Sequence, residues 1–346
     1  ADGRNGRDGA DGQDGRDGKD GEDGEDGRDG VDGKDGQDGK DGLNGQDGED
    51  GEDGEDGKDG LTPSIGDNGN WWIGDTDTGV QAGAGEEFIF NDRGNGTTLL
   101  AYVGHDPDVV IPEKTRFIGE GAFQNNKSLT TVKIPDGVWD IGDNAFSGCV
   151  SLESVDFPKN LEYIGESAFE ECSNLRTIKL PDNLTLIGNR AFYLTSLESV
   201  TIPQKVNYIG EEAFARNFNL ESLTFAHTDK STVQLSIRDR AFEDCYMLTT
   251  VNLPKCLTNL GDEVFASCGS LESVSMPLIR DWGRGTFQNC DKLKSFTFSG
   301  ENLSGNGNFI IPAYTFSRCE ALQSFVVPER VKRIEEYAFS NCTGLE

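Results

Sequence analysis

The residues best equipped for chemistry in this chain are its eight cysteines. Seven of them, Cys149, Cys172, Cys245, Cys268, Cys290, Cys319 and Cys342, each follow a phenylalanine by three positions. A metal centre would need paired ligands such as C-x-x-C to complete a tetrahedron, and no such pair exists. A thiol nucleophile would need a partner base, but His105 and His227 stand isolated in the sequence. Disulfides staple small secreted scaffolds, whereas this chain is long enough to build its own core. Asn126, Thr195 and Asn217 fill the same column elsewhere. A column that exchanges Cys, Asn and Thr predicts a small side chain satisfying a buried turn, hence free thiols, with Cys256 outside the column and unpaired. There is no G-x-S-x-G, H-E-x-x-H or P-loop, so a non-enzymatic protein is expected.

The second chemically equipped group is acidic. Residues 1–60 hold 18 aspartates and 5 glutamates against 8 Lys/Arg. Along one polyproline-II chain these aspartates recur about 9 Å apart, too far for two to share one calcium ion. Carboxylates of three staggered chains come closer. Weak Ca2+ association with the stalk aspartates is therefore the one cofactor reading, and loosely held counterions are its plain alternative. No other cofactor is implied.

The elements that position these groups follow from two repeats. From Gly3 to Gly60 every third residue is glycine, as a triple helix requires at its crowded axis. The segment has no proline, so the pre-set φ that favours polyproline II is missing. It resembles bacterial collagen-like proteins, and a homotrimer through residues 1–60 is one expectation. The other is a self-repelling, extended tether. Residues 61–104 form a junction rich in Gly and Asn, with short β-prone pieces; Trp71 and Trp72 read as a small hydrophobic cap, with stacking on a sugar ring as the alternative.

From residue 105 to 346 a phenylalanine recurs at 123, 146, 169, 192, 214, 242, 265, 287, 316 and 339. The spacing of 22 to 29 residues is that of a solenoid. In the unit starting at Leu197, the residues Leu197, Val200 and Ile202 match L-x-x-L-x-L. Pro203 ends that strand, Val206 and Ile209 point inward, Gly210 allows a turn, and Ala213-Phe214 opens a short helical return. The phrase from Phe157 to Leu175 follows I-P-x-x-V-x-x-I-G-x-x-A-F-x-x-C-x-x-L almost verbatim. It resembles the BspA-like leucine-rich repeat family. The resemblance implies a curved parallel β-sheet solenoid with helical or turn returns, about ten repeats, the last one truncated. It also implies a place on a microbial surface and a role in adhesion.

In leucine-rich strands the third and fifth residues of the signature face the concave side. The third column is Ser or Thr throughout, from Thr131 to Ser324, and reads as a structural hydroxyl ladder. The fifth column varies: Lys133, Asp156, Lys179, Thr201, Thr224, Asn252, Ser275 and Thr297 are the ligand-binding candidates, with a merely solvated face as the alternative. The segments Ala226–Ser236 and Ser299–Phe309 lengthen two repeats. A net charge of −31 argues against nucleic acid and anionic membranes. No run of about 18 apolar residues marks a membrane span. The sequence begins at Ala1 and ends within a repeat, and so reads as a fragment. The partner expected is a host or microbial surface or matrix protein, or a glycan, met outside the cell. The competing readings are a surface-layer spacer and the targeting arm of a larger enzyme.

Overall fold

The structure is a computed structural model that describes residues 63–65, 70–73, 76–81, 87–92, 97–228, 231–301 and 309–346. The expectations for the stalk (triple helix or tether, homotrimer, weak Ca2+ association) lie outside the described residues, as does the side chain of Trp71. The described part opens with a three-stranded antiparallel meander of Pro63–Ile65, Asn70–Ile73 and Thr76–Gln81. A hairpin of Phe88–Asp92 and Thr97–Tyr102 follows.

Most coils of the solenoid then contribute two short strands, one to a series of leucine ladders and one to a series of isoleucine ladders. The leucine strands pair in parallel as Asp108–Val110, Thr131–Lys133 and Ser154–Asp156. The series continues with Ser199–Ile202 beside Ser222–Phe225, and with Thr250–Asn252, Ser273–Leu278 and Ser295–Glu301. The second set begins with Thr97–Tyr102 beside Thr115–Ile118 and runs through Asp140–Ile141, Tyr163–Ile164, Leu186–Ile187 and Tyr208–Ile209 to Asp281–Trp282. This isoleucine sheet has ten strands including the hairpin. The parallel ladder thus reaches back to Thr97, within the stretch assigned to the junction on sequence.

The phenylalanine column is the spine of the core. Neighbouring rings from Phe123 to Phe339 stack nearly parallel, for example Phe146–Phe169 at 5.0 Å and 4° and Phe214–Phe242 at 5.2 Å and 1°. The second pair spans the 28-residue repeat, so that insertion loops out without disturbing the stack. Tyr102 packs on Phe123 at 5.2 Å and Phe88 on Tyr102 at 4.9 Å, which closes the first coil with aromatics from the hairpin. Burying such rings is what makes coils that are unstable alone stable in a stack.

The return is where the sequence reading and the structure differ. Among the described residues the Ala-Phe phrase forms turns and no helix. In all ten repeats the residues two before and two after the phenylalanine have positive φ, as at Ser167 (51°) and Glu171 (59°) around Phe169. A left-handed residue breaks the run of i→i−4 bonds and turns alternate N–H groups outward. Asn144, Phe146 and Gly148 donate to the carbonyls of Glu166, Ala168 and Glu170 in the next coil, each at 2.8 Å. Ala145, Ser147 and Cys149 close local turns instead. A helix would have consumed all these donors internally. Each non-glycine left-handed residue costs about 1–2 kcal/mol, offset by about 1 kcal/mol for each inter-coil hydrogen bond and by the ring stack it permits.

Glycine after the isoleucine also has a different reason from the turn expected. Gly188 and Gly210 have no positive φ. Instead, a Cβ on Gly188 would lie 2.5 Å from the carbonyl carbon of Gly165. Glycine permits the close approach of successive coils.

Candidate recognition surfaces

The thiol column resolves first. The Sγ of Cys149 donates to the carbonyl oxygen of Phe123 at 3.0 Å, and Cys172 to that of Phe146 at 3.2 Å. The other five make the same bond to the phenylalanine one coil back, at 3.0 to 3.4 Å. Asn217 substitutes by donating its Nδ2 to the carbonyls of Phe192 (2.8 Å) and Phe214 (3.0 Å). The column thus supplies a small buried donor to the second lone pair of a carbonyl whose first accepts a backbone N–H of its own coil, as Phe146 accepts from Cys149 at 3.1 Å. Burial pushes the Cys149 thiol up to about 12 and raises the rest of the column as well. Protonated thiols of this kind are neither nucleophiles nor metal ligands. All eight cysteines are free, and Cys256 is half-buried. Among the described residues no cluster of three or more His, Cys, Asp or Glu could hold a metal ion. His227 donates its Nε2–H to the Val206 carbonyl at 2.9 Å, and burial holds its imidazole below the ordinary value.

The predicted binding column lies on the leucine strands, two residues after each hydroxyl position. Lys133, Asp156, Lys179, Thr201, Thr224, Asn252 and Thr297 are exposed, and Ser275 is half-buried. Register sets Val110, Lys133 and Asp156 side by side. It sets Thr201 against Thr224, and Asn252, Ser275 and Thr297 in a row. The hydroxyl column beside it is joined at Ser273 to Thr250 (3.3 Å), while Thr131 bonds Asp108 (2.6 Å). These bonds link single neighbours.

The isoleucine sheet carries a surface that sequence reasoning passed over. Trp139 is 37% exposed and Tyr163 38% exposed. Trp139 meets Phe117 at 4.7 Å and Tyr163 at 6.1 Å, edge to face in both cases. Beside it lies an open depression of about 520 Å³ lined by Asp136, Gly137, Trp139, Asn160, Glu162 and Asn183. Asp140 sits half-buried in the same strand, and burial, reinforced by the Asp143 carboxylate, raises its pKa. A signal was available: Arg116, Glu162, Thr185 and Asn207 occupy the Trp139 position in other coils, so the tryptophan departs from a polar column. A second exposed group, Phe218 stacked on Tyr246 at 5.4 Å with Met247 alongside in sequence, lies just past the thiol column.

Along the returns a charge ladder runs from Glu170 to Arg190 (2.7 Å), Glu212 (3.5 Å), Arg240 (4.0 Å) and Glu263 (2.8 Å). Its arginines are more than 40% exposed. Such pairs contribute little apiece. No helix among the described residues is long and apolar enough to cross a membrane.

Comparison with known proteins agrees with this geometry. The family model of the BspA type leucine rich repeat region matches residues 107–221 and 218–346, and that of the collagen triple helix repeat matches residues 1–71. A leucine rich cell surface protein from Faecalibacterium prausnitzii is 26% identical, with 75% of this chain and 86% of that one covered and a TM-score of 0.50. A leucine-rich repeat protein from Bacteroides ovatus is 28% identical over 75% of this chain and 80% of that one, with a TM-score of 0.44. The leucine rich repeat protein of T. pallidum is 26% identical over 61% and 90%, with a TM-score of 0.46. No curated protein matches. With its repeat motif matched across residues 107–346, the chain belongs to the family of BspA type leucine rich repeat proteins.

Proposed function

We propose that this chain is a non-enzymatic recognition protein, displayed on a bacterial surface or secreted, that binds a host or microbial surface or matrix protein through its leucine-strand face. One observation carries the reading. The inward residues repeat from coil to coil, while the outward column from Lys133 to Thr297 changes at nearly every step on a backbone fixed by parallel ladders. A rigid frame with a variable outer row is how solenoids build extended binding surfaces. The F. prausnitzii relative, a cell surface protein, supports the location. The match of residues 1–71 to the collagen model supports a display stalk. If three chains join through it, three solenoids act together and weak contacts gain avidity.

The test is binding of the full chain to immobilised fibronectin, laminin and collagen, beside a variant with Lys133, Asp156, Lys179 and Asn252 all changed to alanine. Saturable binding that this variant loses is expected. Binding that the variant keeps would count against the leucine-strand face and point to the long loops or the convex side; no binding to any of the three would favour a spacer.

A further inference from the structure

An indole at position 139 lies outside the inward-facing columns, and at the surface it meets Phe117 (4.7 Å) and Tyr163 (6.1 Å) edge to face. In the neighbouring coils that position is held by Arg116, Glu162, Thr185 and Asn207, all polar, before Leu235 takes it in the lengthened repeat. Inside the solenoid, rings of neighbouring coils lie within 18° of parallel and are buried, apart from the last, half-buried Phe339. At the surface, Trp139 is inclined 65° to Phe117 and 68° to Tyr163, so neither ring stacks flat against it. The neighbouring depression, about 520 Å³, is shallow and open to solvent, as suits a ligand that rests on a surface. Its lining offers one large aromatic, two carboxamides and two carboxylates.

We propose that Trp139 and this depression form a carbohydrate subsite that takes a neutral, β-linked hexopyranose. A β-linked pyranose with equatorial substituents turns axial C–H groups to its two faces, and such a face is apolar enough to lie on an indole. Its hydroxyls both donate and accept, which suits amides and carboxylates together. Of the two lining carboxylates Asp136 is held by Lys159 at 3.2 Å, which leaves Glu162 to accept from a hydroxyl and disfavours an anionic ligand.

The polar groups are also fixed in advance. The N–H of Trp139 donates to the Arg116 carbonyl (3.3 Å), and its own carbonyl accepts from Glu162 (2.9 Å) and Tyr163 (3.2 Å). Asn160 and Asn183 anchor their Nδ2 groups on the carbonyls of Asp136 and Lys159, each at 2.9 Å. A frame pinned by three successive coils loses little freedom on binding. The site is on the isoleucine sheet and does not depend on the leucine-strand reading.

The experiment is calorimetric titration of the full chain with cellohexaose and chitohexaose, with hexalysine as the cationic alternative. Saturable binding of at least one sugar is expected. Trp139→Ala should weaken it about tenfold, the scale of one lost aromatic contact. Trp139→Phe should retain part of it, and Glu162→Gln should weaken it while leaving the melting temperature unchanged. The four-alanine variant of the leucine strands should bind the sugar as the parent does. Absence of heat with both sugars, equal affinity in Trp139→Ala, or tighter binding of hexalysine would overturn the proposal.

Discussion

The leucine-strand face and the isoleucine sheet are built by the same coils, yet they present different chemistry. The first shows short polar side chains: a Ser/Thr row and, beside it, the row from Lys133 to Thr297. The second shows Trp139, Tyr163 and an acidic, amide-lined depression. Both rest on an interior that hardly varies, the phenylalanine stack and the donors to its carbonyls. In a repeat protein the interior columns report what the fold needs. A position that departs from its own column reports what the fold does not need, and function is to be sought there.

That contrast between constant interior and variable exterior can be broken by mutation. The largest effect belongs to the spine: Phe192→Ala removes a buried ring between two stacked neighbours and should cost about 3–5 kcal/mol in denaturant unfolding. A loss under about 1 kcal/mol, the size of an ordinary surface change, would erase the distinction. Gly188→Ala comes next. Its Cβ would press on Gly165 at 2.5 Å, and overpacking of this kind costs about 1–3 kcal/mol. An unchanged midpoint would show that the coils have room to part.

Cys172→Ala removes one of two donors to the Phe146 carbonyl, which keeps the Cys149 N–H at 3.1 Å, and should cost about 0.5–1.5 kcal/mol. Cys172→Asn, which copies Asn217 and its bond to the phenylalanine one coil back, should recover part of that. Alkaline pH sharpens the same point. The folded thiols titrate above their unfolded value of about 8.5. Their stabilisation is therefore complete below that pH and is lost as pH rises toward about 12, the folded value at Cys149. Thermal melts should fall over this window, and less steeply for Cys149→Thr. In the folded protein at pH 8, iodoacetamide should modify Cys256 ahead of the column cysteines, as mass spectrometry would read. The smallest effect is expected outside: changing Lys133 or Asn252 alone to alanine should stay within about 0.5 kcal/mol.

The sequence made the interior legible and much of the backbone not. The phenylalanine period and the Cys/Asn/Thr column could be read because each recurs ten times with few substitutes. The leucine strands carried their own signature. The isoleucine strands were missed as strands: pieces of two residues, such as Tyr163–Ile164 and Leu186–Ile187, are too short to show an alternating pattern. The left-handed pairs left no trace either, since Ser, Arg, Glu, Tyr and Leu all occupy them. Their conformation is imposed by inter-coil hydrogen bonds, not by local propensity. Ala-Phe looked like a helix start for the same reason. Trp139 was visible only as an exception, and exceptions are recognised only after the column has been aligned.

The most direct test of the account measures two quantities on one protein: matrix-protein binding and melting temperature for the variant lacking the side chains of Lys133, Asp156, Lys179 and Asn252. The account predicts that binding disappears while the melting temperature stays within a few degrees of the parent, because these four residues lie outside the packed columns. Binding that survives, or a melting temperature that collapses together with it, would contradict the separation of a constant interior from a recognising exterior.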